Sequence, residues 1–406
     1  MKVIQIAWRN VWRNKLRSFV VIIAITLGLW GGIFSYAFMQ GMGDQQIYSA
    51  IRTETGHIQV NKPGFLRNHD LQENIVDERN TEDALKTIQG VKGISSSIQL
   101  TGIASTASAS TGVMINGVDP DAYATVSQLK DYLVDGSFFK EDVYNPIIIG
   151  EQLADKLHAK LHSRLVFTLQ TYEGEISYFA FKVTGIYKLH NSEFNENMVF
   201  VRKQDLAKAI HFPAGHTSVI NILLANKELT ETAKTTIQKQ LPNLQVQTWE
   251  ELSPMTMLMS GTLNQMSFIF VFIILLALAF GIINTMLMAV LDRTREIGML
   301  LSIGMNQRKV FSMIVWETLF LSFTGVITGM VLSMISISYF GTSGIDLSVI
   351  SEGINALGFS SHIYPKLDAG FYPKFALMVI IIAMCSSVFP ARRAIKLKPA
   401  EAVRGE

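Results

Sequence analysis

One cysteine occurs in 406 residues, Cys385, and it lies inside an apolar run near the end of the chain. A disulfide framework is therefore excluded, and any soluble portion must be held by its hydrophobic core alone. No Gly-Lys dipeptide occurs, so the chain has no Walker A loop to cradle phosphates. HExxH and GxSxG patterns are also missing, which removes two common settings for metal-assisted and serine-nucleophile chemistry. Charge of one sign is scarce as well: 35 Lys and Arg stand against 33 Asp and Glu, so nucleic acid is not an expected partner.

Apolar sequence is abundant. Hydrophobic residues make up 49% of the chain and the mean hydropathy is +0.28. A helix needs about 20 apolar residues to cross about 30 Å of hydrocarbon. Four segments qualify, at residues 18–40, 266–291, 311–340 and 372–390. The fourth has its apolar core at Phe375–Phe389 and reaches span length if Tyr372 and Lys374 sit at the headgroup boundary. The first resembles a signal sequence, but its apolar run is longer than a signal core. No small-x-small site follows it, so it reads as an uncleaved anchor.

Lys and Arg then set the orientation, because short cytoplasmic flanks are enriched in both. Lys2, Arg9, Arg13, Lys15 and Arg17 precede the first span, and Arg293, Arg295, Arg308 and Lys309 lie between the second and third. Arg392, Arg393, Lys396, Lys398 and Arg404 follow the fourth, within a tail at residues 391–406. The loop at 341–371 instead carries Asp346, Glu352 and Asp368 against Lys366. Both termini are expected to be cytoplasmic and residues 41–265 external. Residues 1–17 read as an interfacial helix, with Ile4, Trp8, Val11 and Trp12 on one face and Arg9, Arg13 and Arg17 turned to anionic lipid.

The external stretch changes period repeatedly. HIQV at His57–Val60, the helical run TEDALKTIQ with Thr81 as N-cap, and GISSSIQLTGIAS read strand, helix, strand. VINILLA at Val219–Ala225, a helix near 228–240 and LQVQTW repeat that order after a long insert at about 113–217. NPIIIG, RLVFTLQTY, ISYFAFKVTGIY and NMVFV make the insert rich in strands, with Glu173-Gly174 as a turn and EQLADKLHAK as a flanking helix. Two βαβ units around a β-rich lobe predict a split α+β layer.

Residues 291–305, LDRTREIGMLLSIGM, are the most informative segment. They form a short amphipathic element in the 292–310 connection between spans. Arg293, Arg295 and Glu296 make a polar face and Ile297, Leu300, Leu301 and Ile303 an apolar one, while Gly298 and Gly304 permit close approach. This reads as a docking element.

With DRTREIGMLLSIGM at 292–305, VDGSFF at 134–139, PIIIGEQLADKL at 146–157 and FPARRAIKLKPAEAVR at 389–404, the whole chain resembles permeases of the MacB/FtsX/LolC-LolE superfamily of ABC transporters. The resemblance implies an α-helical membrane protein of the bacterial inner membrane, with four transmembrane helices and a large Porter-like external α+β domain. It also implies that Arg295, Glu296, Ile297, Gly298, Met299 and Leu300 are the coupling helix for a pair of separate ATPase subunits. ATP and Mg2+ would then belong to those partners, and this chain would hold no cofactor. A second permease copy, identical or a sister chain, would complete the transporter.

Release of a lipoprotein or other amphiphile, with room for a periplasmic carrier, is the favoured function. Mechanotransmission to a cell-wall hydrolase or sensor, as in FtsX, and peptide or drug efflux, as in MacB, are the alternatives.

Several residues carry open readings. Phe34, Phe38, Met39, Met255, Met259, Leu263 and Met266 either line an amphiphile path or pack the stalk helices. Gly28 and Gly32, with Gly325 and Gly329, form small-xxx-small pairs that serve packing within one subunit or between two. Glu317 is a carboxylate inside a span, functional by default or paired with Arg308 at the interface. Asn284 suits an interhelical hydrogen bond. His158 and His162 are four apart on an expected helix, but no further ligand completes a metal set.

Overall fold

Four helices long and apolar enough to cross a bilayer dominate the first of two compact units in the computed structural model. The description covers residues 2–139, 143–189, 191–350, 353–354 and 359–395. The tail beyond Ile395, with its basic residues and the PAEAVR motif, lies outside the described residues.

The helices that build this unit are α1 (Lys2–Arg13), α2 (Lys15–Ala50), α3 (Pro254–Asp292), α4 (Thr294–Ser302), α5 (Gln307–Ser343) and α6 (Phe371–Ile395). At 36 residues α2 is roughly 54 Å long, well over the hydrocarbon thickness. One stripe of each spanning helix is buried: Ile25, Leu29 and Ile33 on α2, Leu275, Leu278 and Ile282 on α3, Leu321 and Val326 on α5, Val379 and Ala383 on α6. The remaining surface stays apolar, with Phe272, Ile273, Phe280 and Ile335 exposed, as lipid-facing helices require.

Glycine lets two of these helices approach closely. A Cβ on Gly325 would stand 2.7 Å from the Ile25 Cβ and 3.1 Å from the Ile22 carbonyl oxygen, and one on Gly329 would meet the Thr26 oxygen at 3.0 Å. Gly28 likewise faces Leu278 at 3.0 Å, with Gly32 farther off at 3.8 Å from Ile274. Gly28, Gly325 and Gly329 therefore pack closely against neighbouring helices of this chain. Tyr372 is buried in this unit, in the same hydrophobic cluster as Tyr36 and Phe375. Lys374 lies over the Phe371 ring at 4.9 Å.

The second unit, Asp44–Ser260 with 347–361, is built on a ten-stranded sheet ordered β10-β1-β9-β2-β3-β8-β5-β7-β4, with β6 paired to β2 and β7. The strands are β1 (Ile58–Asn61), β2 (Val91–Ser105), β3 (Ser110–Val118), β4 (Leu133–Gly136), β5 (Pro146–Gly150), β6 (Arg164–Gln170), β7 (Ile176–Tyr187), β8 (Met198–Arg202), β9 (Val219–Leu224) and β10 (Gln245–Thr248). Strands β10, β1, β9 and β2 are mutually antiparallel neighbours, so β1 and β2 run parallel with β9 between them. Helices Glu78–Lys86 and Thr230–Gln240 join the two interleaved βαβ units and bury Leu85, Ala233 and Ile237 against Ile58, Ile220, Ile222 and Val246. That is the split α+β layer the sequence predicts.

The β-rich lobe has its own core around Ile147, Phe167, Phe181 and Val199. It shares β2, whose 15 residues extend roughly 50 Å and pair with β9 at one end and β3 and β6 at the other. The boundary is therefore a continuous strand. Two local expectations are corrected. Asp77 is the N-cap of Glu78–Lys86, accepting from the Asn80 N–H, while Thr81 is buried within the helix. The helix beginning at Glu151 ends at Lys156, and His158 and His162 both take left-handed backbone (φ 50° and 69°), so the i,i+4 histidine pair does not form. No metal-holding group of three ligands occurs among the described residues.

Candidate functional site

The amphipathic segment between the second and third spans folds as α4, and its ends are defined by ordinary backbone chemistry. After Ile303 the chain takes φ +93° at Gly304, whose N–H bonds to the Leu301 oxygen while the Met305 N–H bonds to the Leu300 oxygen, both at 3.0 Å. This is a Schellman stop. Gly304 therefore ends the helix, and an added Cβ there would meet nothing within 4 Å, so close approach is not its role. Asn306 caps α5 by accepting from the Arg308 N–H at 2.9 Å.

Burial sorts the expected coupling residues into two faces. Ile297 and Gly298 are buried and Leu300 is half-buried, whereas Arg295, Glu296 and Met299 are exposed. Ser302 and Ile303 extend the outward edge, with Ile303 85% exposed. Ile303 belongs to the apolar face by sequence, outside the set expected to couple. Ile303 follows Ile297 by six residues, about 240° round the helix, so its side chain falls off the buried stripe.

The inward and lateral faces are braced by charge. Arg13 of α1 bonds both oxygens of Glu296, and Arg17 reaches Asp292 at 2.6 Å. Arg293, just before α4, donates from Nη1 to the two Glu317 oxygens at 3.3 and 3.4 Å and from Nη2 to the Asn10 carbonyl at 3.2 Å. Asn10 Nδ2 donates to Glu317 Oε1 at 2.6 Å. These contacts tie α1, the end of α3, α4 and α5 to one another.

They also correct two expectations. Glu317 pairs with Arg293 and Asn10 instead of Arg308, since Arg293 lies one connection away in space. Arg13 and Arg17 are occupied by carboxylates of the coupling segment, leaving Arg9 exposed on that side of α1. Ala7 and Val11 of α1 are buried, and Trp8 stands edge-on to Phe320 at 5.1 Å. Trp8 and Trp12 stay about half exposed. A cavity of about 460 Å³ lies beside this network, lined by Ile6, Asn10, Arg293, Glu296, Leu300 and Glu317 among others.

The residues expected to line a ligand path fall into both units. Phe34 stacks on Trp30 at 5.8 Å and meets Phe340 edge-on, Phe38, Met39 and Leu263 are half-buried, and Met266 is exposed. In the external unit, Met255 and Met259 line a cavity of about 270 Å³ with Gln46, Glu54, Asn191 and Glu193. Gln46 Nε2 lies 3.5 Å from the Met259 sulfur, and Asn191 Nδ2 donates to Glu54 at 2.8 Å. Asn284 is exposed on α3.

Nearby, His57 is buried at the start of β1, with Nδ1 accepting the Leu224 N–H at 3.2 Å. Burial, assisted by the Arg52 charge, pushes its imidazole down to about 4. Burial lowers His69 in the same direction.

Comparison with known proteins accords with this architecture. Residues 18–240 match the MacB-like periplasmic core domain, and residues 268–399 match the FtsX-like permease C-terminal. The chain is 22% identical over 97% of its length to the lipoprotein-releasing system transmembrane protein LolC of Neisseria meningitidis, covering 96% of that protein. It is 26% identical to the uncharacterized ABC transporter permease YknZ of Bacillus subtilis, over 99% of this chain and 98% of that one. The crystal structure of the YknZ extracellular domain from Gram-positive bacteria aligns at TM-score 0.33 and 17% identity, over 47% of this chain and 98% of that domain.

Proposed function

This chain belongs to the family of the MacB-like periplasmic core domain and is an ABC transporter permease; we propose that it converts ATP hydrolysis by a separate subunit into release of a lipoprotein from the membrane. The observation that carries this is α4. It is a short helix held from inside by Ile297 and Gly298 and from the side by Arg13, and it offers Arg295, Met299, Ser302 and Ile303 to a partner. A free apolar edge on a charge-braced helix is suited to transmit force, because the braces carry displacement into α1, α3 and α5 together.

The lack of a Walker A loop supports an ATPase supplied in trans. Four apolar helices support a multi-pass protein. With the basic flanks turned to the cytoplasm, α4 faces the ATPase and residues 44–260 face outward. Full-length alignment to a protein named for lipoprotein release supports that substrate class.

The test is reconstitution of the permease with its ATPase in proteoliposomes carrying a triacylated lipoprotein. ATP should drive the lipoprotein into the soluble fraction. Steady hydrolysis with all lipoprotein retained in the bilayer would reject release and favour mechanotransmission.

A further inference from the structure

We propose that Glu317 is a positioning residue of the coupling machinery: its ion pair with Arg293, bridged by Asn10, is the joint through which α4 moves α5 and α1 as one body. This rests on the reading that α4 is the element the ATPase displaces. Three observations carry it. First, Arg293 stands where the chain turns from α3 into α4, so displacement of α4 acts there first. Second, one guanidinium joins three helices, with Nη1 on Glu317 of α5 and Nη2 on the Asn10 carbonyl of α1. A planar fork held from two directions resists rotation as well as translation. Third, the Arg293 Nε is buried without a hydrogen-bond partner and faces Glu296 at 4.0 Å, while the cavity beside it leaves room to move. The arginine can therefore follow α4 toward Glu296 without being stripped of acceptors.

Plain stabilisation is a poor account of such a pair. Replacing a buried ion pair by apolar residues of like volume is often neutral or favourable, whereas removing one partner is costly. A core that needed only stability could use methionine or leucine here. The directional link between helices is what the pair adds.

The experiment uses full-length permease with its ATPase in nanodiscs, on a Cys385→Ser background, with spin labels at Thr294→Cys, on α4 but outside its docking edge, and Ser338→Cys on α5. In the natural sequence and in Glu317→Asp, the label separation should be the same without nucleotide and after ATP–vanadate trapping. In Glu317→Gln it should change between the two states. Basal hydrolysis should persist in that variant, and stimulation by a synthetic triacylated lipopeptide should fall to the basal rate.

The double variant Arg293→Met/Glu317→Met removes the pair without leaving a bare charge and should behave like Glu317→Gln. A constant separation with retained stimulation in either charge-removing variant would overturn the joint. ATPase binding that is unaffected by Met299→Asp would instead refute docking on α4, and the label separation would still decide the joint.

Discussion

Replacing Ile303 by Asp should detach the ATPase without unfolding the permease. Ile303 is 85% exposed, so its side chain adds almost nothing to this chain's own core, and its backbone sits at the helix C-cap with φ −77° and ψ 2°, which Asp tolerates. On docking, burial of an isoleucine contributes about 1.5–3 kcal/mol. A carboxylate forced into the same apolar contact adds a desolvation cost of about 1–3 kcal/mol. At about 1.4 kcal/mol per tenfold in affinity, the lower ends alone predict a Kd weaker by roughly sixtyfold.

Ile303→Ala keeps the contact apolar and should lose about tenfold or somewhat more. Titration of purified ATPase onto permease in nanodiscs measures both. Ile297→Ala is the control: that side chain is buried, so it should lower the melting temperature through a cost of about 2–5 kcal/mol. Should Ile303→Asp and Met299→Asp both bind within about threefold of the natural chain, the outward edge of α4 is not the docking surface.

His57 gives a pH prediction for the external unit. Its folded pKa, about 4, lies below the ordinary 6.5, so the folded state binds fewer protons than the unfolded one in that window. Stability is full above pH 6.5 and is lost as pH falls toward 4, by about 2 kcal/mol once residual hydration of the ring is allowed for. Melting followed by Trp249 fluorescence should show the slope, and His57→Gln should flatten it; an unchanged slope refutes the assignment. Gly325→Leu should cost about 1–3 kcal/mol in detergent melts, because its first added carbon meets Ile25 at 2.7 Å. Gly31→Leu, where a Cβ meets nothing within 4 Å, should be close to neutral, and equal losses at both would contradict the packing. A photoreactive group at Met259 or Phe38 should label a lipidated substrate; adducts elsewhere in the external unit but at neither position would remove the proposed path.

Much of this architecture was legible in the sequence because it follows from solvent. A chain crossing hydrocarbon must be apolar for about 20 residues, and basic flanks read the membrane's sidedness, so the spans and the 292–305 element stand out. Strand and helix order in the external unit was legible too, since buried runs such as PIIIG and VINILL differ in period from Thr230–Gln240. Pairing across long separations was not. Nothing local says that β2 serves both lobes, that Tyr372 turns inward, or that Arg13 and Arg17 meet Glu296 and Asp292 some 275 and more residues away.

The sequence determined that Glu317 lies inside a span and needs a partner, because an ionised carboxylate in hydrocarbon is costly. Only tertiary structure chose Arg293 and Asn10 over the nearer Arg308. Side-chain reach and helix phase decide which cation can arrive, and those depend on how α1, α4 and α5 pack. The same distinction holds for α4. Its amphipathicity was written in the residues, but which edge stays free for a partner was settled by the neighbours that cover Ile297 and Gly298.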